Sequence, residues 1–580
     1  MKPDPKPKSI NKLLGQIDQG EYVIPHFQRD YEWGPGDVCD LFNSIIRDYY
    51  TGTLLLWDLN KYDGGNGTWD PLWGMDESQL KDEPSRAILD GQQRLSSLYY
   101  AIYSPNELFP SRKSYYYFFL DMDNLLNNNY EEIIDYEHKR KSRNLEDFLE
   151  KQEELIERGE FPLLLLSDED YLSTNEFENW LQDYVRTKKE EGVISEDVTA
   201  LKVQNELRKI LQYKFSVETL EYSDVQKVCD IFTRINQKGM SLSTFDLMNA
   251  FLFPHGIELR KEWEDLENED LKSVHKKMGE YILKLMSLRK QKYCSSKYLY
   301  NLIPESESSN GQIIIQDADE FRTTWKKAIN YAEKARQKIL NTGKYEFGAL
   351  KNSFIPNTTI LPVLGALIWE YETNLNVGKQ EFNQKIETWY WSAVFSGDYS
   401  GSSDTIMAKD YEEVVEWLEG GETPERVKNV DEEFIEGLDL KTDIKDSRYK
   451  AVLGILGKRN SSDFYKVRNL GAWDVKKIDD HHIFPSKIEG MSLPEEEKNS
   501  IANRTLILDE TNKKIQNKRP SKYLDKIRNQ HVEGEEEIQE LMKSHLVNRK
   551  ALEHLENDNF QEFTKERGRT LKNEIKELVA

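Results

Sequence analysis

The sequence predicts a helix-rich, multidomain α+β protein: an N-terminal α/β domain, a helical middle region and a C-terminal domain. The chain has 580 residues, enough for roughly two to four domains with separate cores. Strand patterns alternate with helical patterns in the first half, and amphipathic helical patterns follow in the middle region. We place the domains at residues 1–250, 251–440 and 441–580.

The first domain opens with alternating strands and helices. Residues 22–24 form a short strand pattern that ends at Pro25. Asp37 is predicted to cap a helix whose apolar residues recur at helical spacing up to Tyr49. Further strands are predicted at residues 53–59, 86–89, 114–120 and 213–220. Ser243 is predicted to cap a later helix.

One motif of this domain joins a strand to a helix predicted over residues 95–103. We call it the DGQQR turn, and it consists of Asp90, Gly91, Gln92, Gln93 and Arg94. Such a turn brings backbone N–H groups to the positive end of a helix, where anions bind readily. Gly91 lets the backbone come close, Arg94 can bond phosphate oxygens, and Asp90 can hold a cation or orient water. The residues alone therefore predict an anion site.

Two other clusters carry arginines. Residues 28–33 read QRDYEW and include Arg29, and residues 232–239 read FTRINQKG and include Arg234 and Asn236. Taken singly, each is also consistent with an ordinary turn or a structural ion pair.

The order QRDYEW, DGQQR, FTRINQKG resembles the GmrS-type N-terminal domain of GmrSD restriction proteins. The resemblance implies a ParB/sulfiredoxin-like fold that binds and hydrolyses a nucleotide, ATP or GTP. It places Asp90, Gly91, Gln92, Gln93 and Arg94 in the nucleotide site, with Arg29, Arg234 and Asn236 in the same cleft. An ordinary P-loop is not expected, because no GxxxxGK[ST] sequence occurs.

The C-terminal domain carries the only adjacent histidine pair of the chain, His481 and His482, between two aspartates and an Ile-Phe-Pro turn. A strand is predicted over residues 475–478, and Asn503 and Asn512 follow downstream. A one-metal nuclease needs an imidazole that takes a proton from water, beside ligands that hold a divalent cation on the phosphate. An isolated pair is more often structural, but the two asparagines in order favour the nuclease interpretation.

This pattern resembles the HNH, or ββα-metal, nucleases, and more closely the nuclease domain of GmrSD proteins. The resemblance makes His482 the general base, and Asn503 the residue that steadies its loop. His481 and Asn512 become ligands of Mg²⁺ or Mn²⁺. His481 stands where many relatives have an aspartate, so Asp480 is the alternative ligand.

Charge limits where nucleic acid can bind. The chain has 79 basic and 104 acidic residues, for a net charge of −25. A basic segment over residues 513–528 begins directly after Asn512. It is expected to contact DNA phosphates through Lys513, Lys514, Lys518 and Arg519.

The middle region is helical in pattern, with helices predicted over residues 266–285 and 321–339. An aromatic cluster, Trp389, Tyr390, Trp391 and Phe395, is predicted to be core rather than a base-stacking surface. Residues 419–425 are the best linker candidate. A cytoplasmic protein without membrane contact is expected, because there is no signal segment or long apolar run and the three cysteines show no disulfide spacing.

Together the two resemblances indicate a fused, BrxU-like member of the modification-dependent type IV GmrSD restriction proteins. Such a protein is a nucleotide-regulated, metal-dependent endonuclease that cuts modified double-stranded phage DNA. One centre per chain makes a homodimer the easiest way to cut both strands. Two alternatives remain: an abortive-infection nuclease acting on RNA or host DNA, and a ParB-like DNA clamp with an inactive nuclease end.

Overall fold

A computed structural model describes most of the chain: residues 5–25, 28, 31–61, 69–103, 108–109, 112, 114–139, 151–167, 175–222, 227–228, 231, 243–308, 310–400, 404–440, 446–466, 474–488, 490–494, 497–529 and 535–580. The chain divides into two compact units, Met1–Lys261 and Glu262–Ala580. The predicted boundaries at residues 250 and 440 stay predictions.

Two sheets organise the first unit. Its strands are β1 (Lys6–Ser9), β2 (Tyr22–Pro25), β3 (Thr53–Asp58), β4 (Trp69–Asp70), β5 (Arg86–Asp90), β6 (Tyr115–Asp121), β7 (Ile134–Lys139), β8 (Glu160–Pro162) and β9 (Lys214–Leu220). The larger sheet has the order β1-β9-β3-β5-β2-β4, and the smaller one β7-β6-β8. The β2–β5 and β3–β9 pairs are parallel. All five predicted strands of this region are confirmed.

Helices lie between and after these strands, and the last of them crosses the unit boundary at Lys261. They are α1 (Ile10–Asp18), α2 (Pro35–Ile46), α3 (Gln92–Tyr103), α4 (Met122–Leu126), α5 (Gln152–Arg158), α6 (Asn175–Glu190), α7 (Ala200–Gln212), α8 (Thr244–Leu252) and α9 (Leu259–Glu264). Leu54 and Leu56 of β3 join a core formed with α1, α2 and α3. Leu55 and Trp57 face a second cluster. Because alternate residues of a strand point to opposite faces, both faces of this strand are buried.

The start of α2 differs from the prediction. The helix begins at Pro35 with Gly34 as its N-cap, and Asp37 lies in the first turn. The Asp37 carboxylate accepts a hydrogen bond from the Gly34 N–H at 2.7 Å. The predicted cap at Asp37 was therefore wrong, because proline favours the first helical position and the carboxylate reaches back to the cap. The cap at Ser243 is confirmed.

The second unit is mainly helical. Its elements are α10 (Glu269–Lys272), α11 (Met278–Gln291), α12 (Ser296–Leu299), α13 (Ala318–Leu340), α14 (Leu361–Thr373), α15 (Lys379–Ser396), α16 (Asp404–Leu418), α17 (Glu425–Asn429), α18 (Glu432–Glu436), α19 (Ser447–Lys458), β10 (Ile478–His482), β11 (Arg504–Leu508), α20 (Asp509–Ile515), α21 (Pro520–Arg528), α22 (Glu535–Ser544), α23 (Arg549–Glu556) and α24 (Phe560–Val579).

Several predictions for this unit can be compared directly. The helix predicted over residues 266–285 is broken into α10 and α11, whereas that over residues 321–339 lies within α13. The aromatic cluster of α15 is buried, as predicted. Residues 419–424 form the turn between α16 and α17, and Glu425 begins α17; the linker stays a prediction. Among the described helices, none has both the length and the apolar character that crossing a bilayer requires.

Candidate functional site

The histidine pair lies on an antiparallel strand pair followed by a helix. In the β10–β11 ladder, His481 is opposite Thr505 and His482 is opposite Arg504. Helix α20 begins directly after β11. Residues 475–477 form a 3-10 turn rather than the predicted strand, because the Asp474 side chain accepts from the Lys476 N–H at 3.0 Å and holds a local turn.

One face of β10 carries an imidazole, a carboxylate and an amide. Asn512 of α20 donates from Nδ2 to Asp479 Oδ2 at 3.3 Å and lies beside the His481 side chain. Burial lowers the pKa of His481 to about 3, so the ring is neutral at physiological pH. Its Nε2 is buried and, among the described residues, has no hydrogen-bond partner. A neutral imidazole with an unused nitrogen is the form that binds metal ions.

This face suits a divalent cation only in part. In the described part of the chain, no group of three or more His, Cys, Asp or Glu side chains is arranged as a metal site. Here the protein offers His481, Asp479 and the Asn512 amide, so water or a phosphate oxygen would complete the shell. The donor set fits a metal that accepts both nitrogen and oxygen ligands.

His482 is the last residue of β10 and has both ring nitrogens occupied. Arg504 Nη1 donates to Nδ1 at 2.9 Å, and Nε2 is 2.9 Å from Asn499 Oδ1. Because a guanidinium can only donate, Nδ1 has the lone pair, and Nε2 carries the hydrogen that is donated to Asn499. Burial lowers the pKa of His482, and the Arg504 charge lowers it further.

Asp480, the alternative metal ligand, contacts Arg504, the hydrogen-bond partner of His482. Its Oδ2 accepts from the Tyr449 hydroxyl and lies 3.5 Å from Arg504 Nη2. Burial raises the pKa of this carboxyl group. Asp480 therefore contacts His482, the predicted base, through Arg504, which hydrogen-bonds the His482 ring.

Asn503 fastens the loop that follows β10. Its Oδ1 accepts from the Phe484 N–H at 2.8 Å, and its Nδ2 donates to the carbonyls of Phe484 and Lys498 at 3.0 and 2.8 Å. The residue is fully buried. Asn503 therefore joins the loop after β10 to the segment before β11, and its part in catalysis stays a prediction.

Sequence reasoning missed several buried supports of this centre. Asp463 accepts from the Leu508 N–H at 2.9 Å and from the Thr511 hydroxyl at 2.6 Å, which joins the end of β11 to α20. Arg567 of α24 donates to the carbonyls of His545 and Ala502. Tyr449 and Arg504 complete the set. Each of these residues is far along the chain from its partner or lies in no recognisable motif, so the sequence did not predict its contacts.

The basic segment after Asn512 is partly neutralised or bound internally. Lys513 pairs with Asp509, and the Lys514 ammonium lies 5.2 Å from the centre of the Tyr465 ring. Lys518 donates to the Lys514 carbonyl at 2.7 Å, and Arg519 to the Gly490 carbonyl at 2.7 Å. These four side chains would therefore have to give up or share an internal contact to bind a DNA phosphate.

In the first unit, the structure brings the DGQQR turn to the QRDYEW segment. Gln93 Oε1 accepts from the N–H groups of Glu32 and Trp33 at 2.9 and 3.1 Å. The Tyr31 hydroxyl lies 2.7 Å from Ser97 Oγ. Gly91 has φ +100°, and a Cβ there would lie 2.2 Å from Leu54 Cδ2, so only glycine fits.

Most of the hydrogen-bonding capacity of the Arg94 guanidinium is taken by groups of the protein itself. It donates to the Thr51 and Thr53 carbonyls at 2.6 and 2.9 Å and lies 3.3 Å from Asp90 Oδ2. The Asp90 side chain is 44% exposed, and Gln92 is buried. Arg29, Arg234 and Asn236 lie outside the described residues.

Two known sequences or families are similar to this chain, one over the first unit and one over nearly its whole length. Residues 10–253 match the family model of the GmrSD restriction endonuclease N-terminal domain. The chain is also 29% identical over 610 aligned positions to the uncharacterized protein MJ0686 of Methanocaldococcus jannaschii, with 99% of each chain covered. Residues 10–253 of this chain are therefore similar to the N-terminal domain of GmrSD restriction endonucleases.

Proposed function

We propose that the chain is a nucleotide-regulated, metal-dependent DNA endonuclease whose cleavage centre is formed by β10, β11 and α20. The family match at residues 10–253 supports a restriction-system protein, for which DNA is the expected substrate. The nuclease assignment rests on the residues of the second unit.

One observation supports it most strongly. His481 Nε2 is a buried nitrogen without a hydrogen-bond partner in the described part of the chain, on the face that also carries Asp479 and Asn512. Leaving such an atom unpaired costs about 1–3 kcal/mol, so a fold that keeps it is expected to use it. Metal coordination is the use that this donor set fits best.

His482 is the proposed general base, and its accepting atom is Nδ1. In the structure, Arg504 covers that lone pair. A substrate phosphate is a stronger acceptor for a guanidinium than an imidazole is. We expect the phosphate to draw Arg504 away, which frees Nδ1 to take a proton from the attacking water.

His481, Asn512 and Asp479 would hold Mg²⁺ or Mn²⁺ beside the phosphate. When bound, such an ion supplies Lewis-acid stabilisation of the charge that develops during cleavage. The carboxylate, the amide oxygen and water are ligands that suit either ion.

The first unit is proposed to bind ATP or GTP at the DGQQR turn. Because Arg94 already bonds two carbonyls, its proposed role there is to shape the turn, whereas backbone N–H groups and the exposed Asp90 meet the nucleotide. Gly91 keeps the backbone open to such an approach.

The decisive experiment compares plasmid DNA with phage DNA that carries modified cytosines, in Mg²⁺ or Mn²⁺, with and without NTP. His482→Ala is expected to lose at least 100-fold in cleavage rate, the usual scale of a general base. His554→Ala, outside the site, is the matched control. Retained cleavage in a folded His482→Ala protein would refute the assignment.

Two further measurements separate the alternatives. Asn512→Ala should weaken Mn²⁺ binding measured by electron paramagnetic resonance, whereas a decayed nuclease end would bind no Mn²⁺ in the wild type.

A cleavage assay that offers RNA beside DNA tests the abortive-infection alternative, which predicts RNA cleavage.

A further inference from the structure

A polar cavity of about 600 Å³ lies in the second unit, separate from the His481 face of β10. Its described walls come from segments 274–281, 352–359, 397–399 and 446–450. Pockets for small molecules and cofactors usually measure about 300–1,000 Å³. The cavity is therefore large enough for a nucleotide-sized ligand.

The charged side chains on its wall have unused donors. Within the residues that the structure describes, the Lys450 ammonium makes no hydrogen bond or ion pair, and burial lowers its pKa. Arg448 donates from Nε to the Phe395 carbonyl at 3.1 Å and from Nη2 to the Ser396 carbonyl at 3.4 Å. Its Nη1 has no partner among the described residues.

Two neutral side chains add further donors. His275 Nδ1 accepts from the Lys277 N–H at 3.1 Å, so the hydrogen of the neutral ring is on Nε2. Asn357 Oδ1 is used by Thr359, which leaves its amide N–H groups available. Among the described lining residues, the only carboxylate is Asp446, and one of its oxygens caps the Arg448 N–H. The wall is thus rich in donors and poor in acceptors, as a phosphate site requires.

The same segments support the proposed cleavage centre. Tyr449, between Arg448 and Lys450, donates to Asp480. Lys351, directly before a lining segment, donates to the Ile478 carbonyl at 3.0 Å. A ligand in the cavity would therefore be bound by the two segments that hold β10.

We propose that this cavity binds the phosphate of a nucleotide, with Lys450 and Arg448 as its main contacts. The nucleotide is either free or part of the nucleic acid substrate, and only the second case rests on the proposed nuclease function.

The test measures binding by the full chain in EDTA, so that cleavage has no influence on the result. The probes are inorganic phosphate, deoxyadenosine monophosphate and a 24-base-pair DNA duplex. Lys450→Gln should raise the Kd of at least one probe about tenfold, the scale of one charge-assisted hydrogen bond. Lys327→Gln, which removes an exposed lysine of α13, is the matched control and should change none.

The probes separate the two sources. Weaker binding of the monophosphate indicates a free nucleotide, and weaker binding of the duplex alone indicates a phosphate of the DNA backbone. Unchanged Kd values for every probe would overturn the proposal. Amine labelling of the wild type gives an independent result: phosphate or duplex should protect Lys450, and equal labelling with and without both would also overturn it.

Discussion

At the scale of single residues, three asparagines around β10 use their amides in different ways. Asn499 accepts from the His482 ring, Asn503 bonds the backbone of the loop after β10, and Asn512 meets Asp479 and His481. Only Asn503 is fully buried. A substitution there should therefore act on stability, whereas one at Asn512 should act on the metal.

Asn503→Ala removes three hydrogen bonds from a buried position. We expect the free energy of unfolding to fall by about 2–4 kcal/mol, since each lost buried partner leaves a backbone group unsatisfied. Urea denaturation followed by circular dichroism measures this change. Asn499→Ala, at an exposed residue, should cost less than about 1 kcal/mol. Equal losses for the two variants would contradict the structural role.

His545 makes stability depend on pH. It is buried, its Nδ1 is 2.6 Å from Thr505 Oγ1, and its Nε2 is 2.6 Å from the Ser462 carbonyl. Burial lowers its pKa from 6.5 to about 3. The unfolded chain takes up a proton below about pH 6.5 and the folded chain does not, so stability is present above that pH and falls toward pH 3.

His545→Gln should remove this histidine's share of the pH dependence. The wild type is expected to lose up to about 1.4 kcal/mol per pH unit more than the variant between pH 6 and pH 4. His481 titrates over the same range in both proteins, so the difference isolates His545. Parallel curves of unfolding free energy against pH would show that the side chain is protonated in the folded state.

At the scale of elements, local patterns predicted five of the nine described strands of the first unit and α13. The order of strand, strand and helix at the histidine pair was implied by the resemblance to HNH nucleases and not by a local pattern. The predictions failed where a side chain competed with the backbone. Asp474 replaces the start of a strand with a turn, and Asp37 supports a helix that begins at Pro35. Partners distant in sequence, such as Tyr449 for Asp480, cannot be predicted from spacing, because only the tertiary fold brings them together.

Helix α24 shows such a distant dependence, since its Arg567 is buried and bonds the carbonyls of residues 502 and 545. Arg567→Met should lower the free energy of unfolding by about 2–4 kcal/mol, because it leaves buried carbonyls without donors. Arg569→Met, which removes an exposed arginine paired with Glu566 at 3.0 Å, is the control and should cost less than about 1 kcal/mol. If both variants unfold at the same urea concentration, Arg567 does not anchor the helix.

At the scale of the whole molecule, a net charge of −25 opposes DNA over most of the surface. Several basic side chains after Asn512 already have partners within the protein, because Lys513 pairs with Asp509 and Arg519 donates to the Gly490 carbonyl. Binding should therefore depend on few phosphates and on the metal, in contrast to a strongly basic DNA-binding protein.

The salt dependence of duplex binding tests this view. With EDTA present and the KCl concentration varied, we expect log Kobs to fall with log[KCl] at a slope of about −2 to −4, since each neutralised phosphate contributes about −0.9. Lys514→Gln should make the slope shallower by about 0.9, whereas Lys327→Gln should leave it unchanged. A slope steeper than about −6 would require more than six phosphate contacts. Four of the basic residues after Asn512 already bond groups of the protein, so DNA would then have to bind a second basic surface.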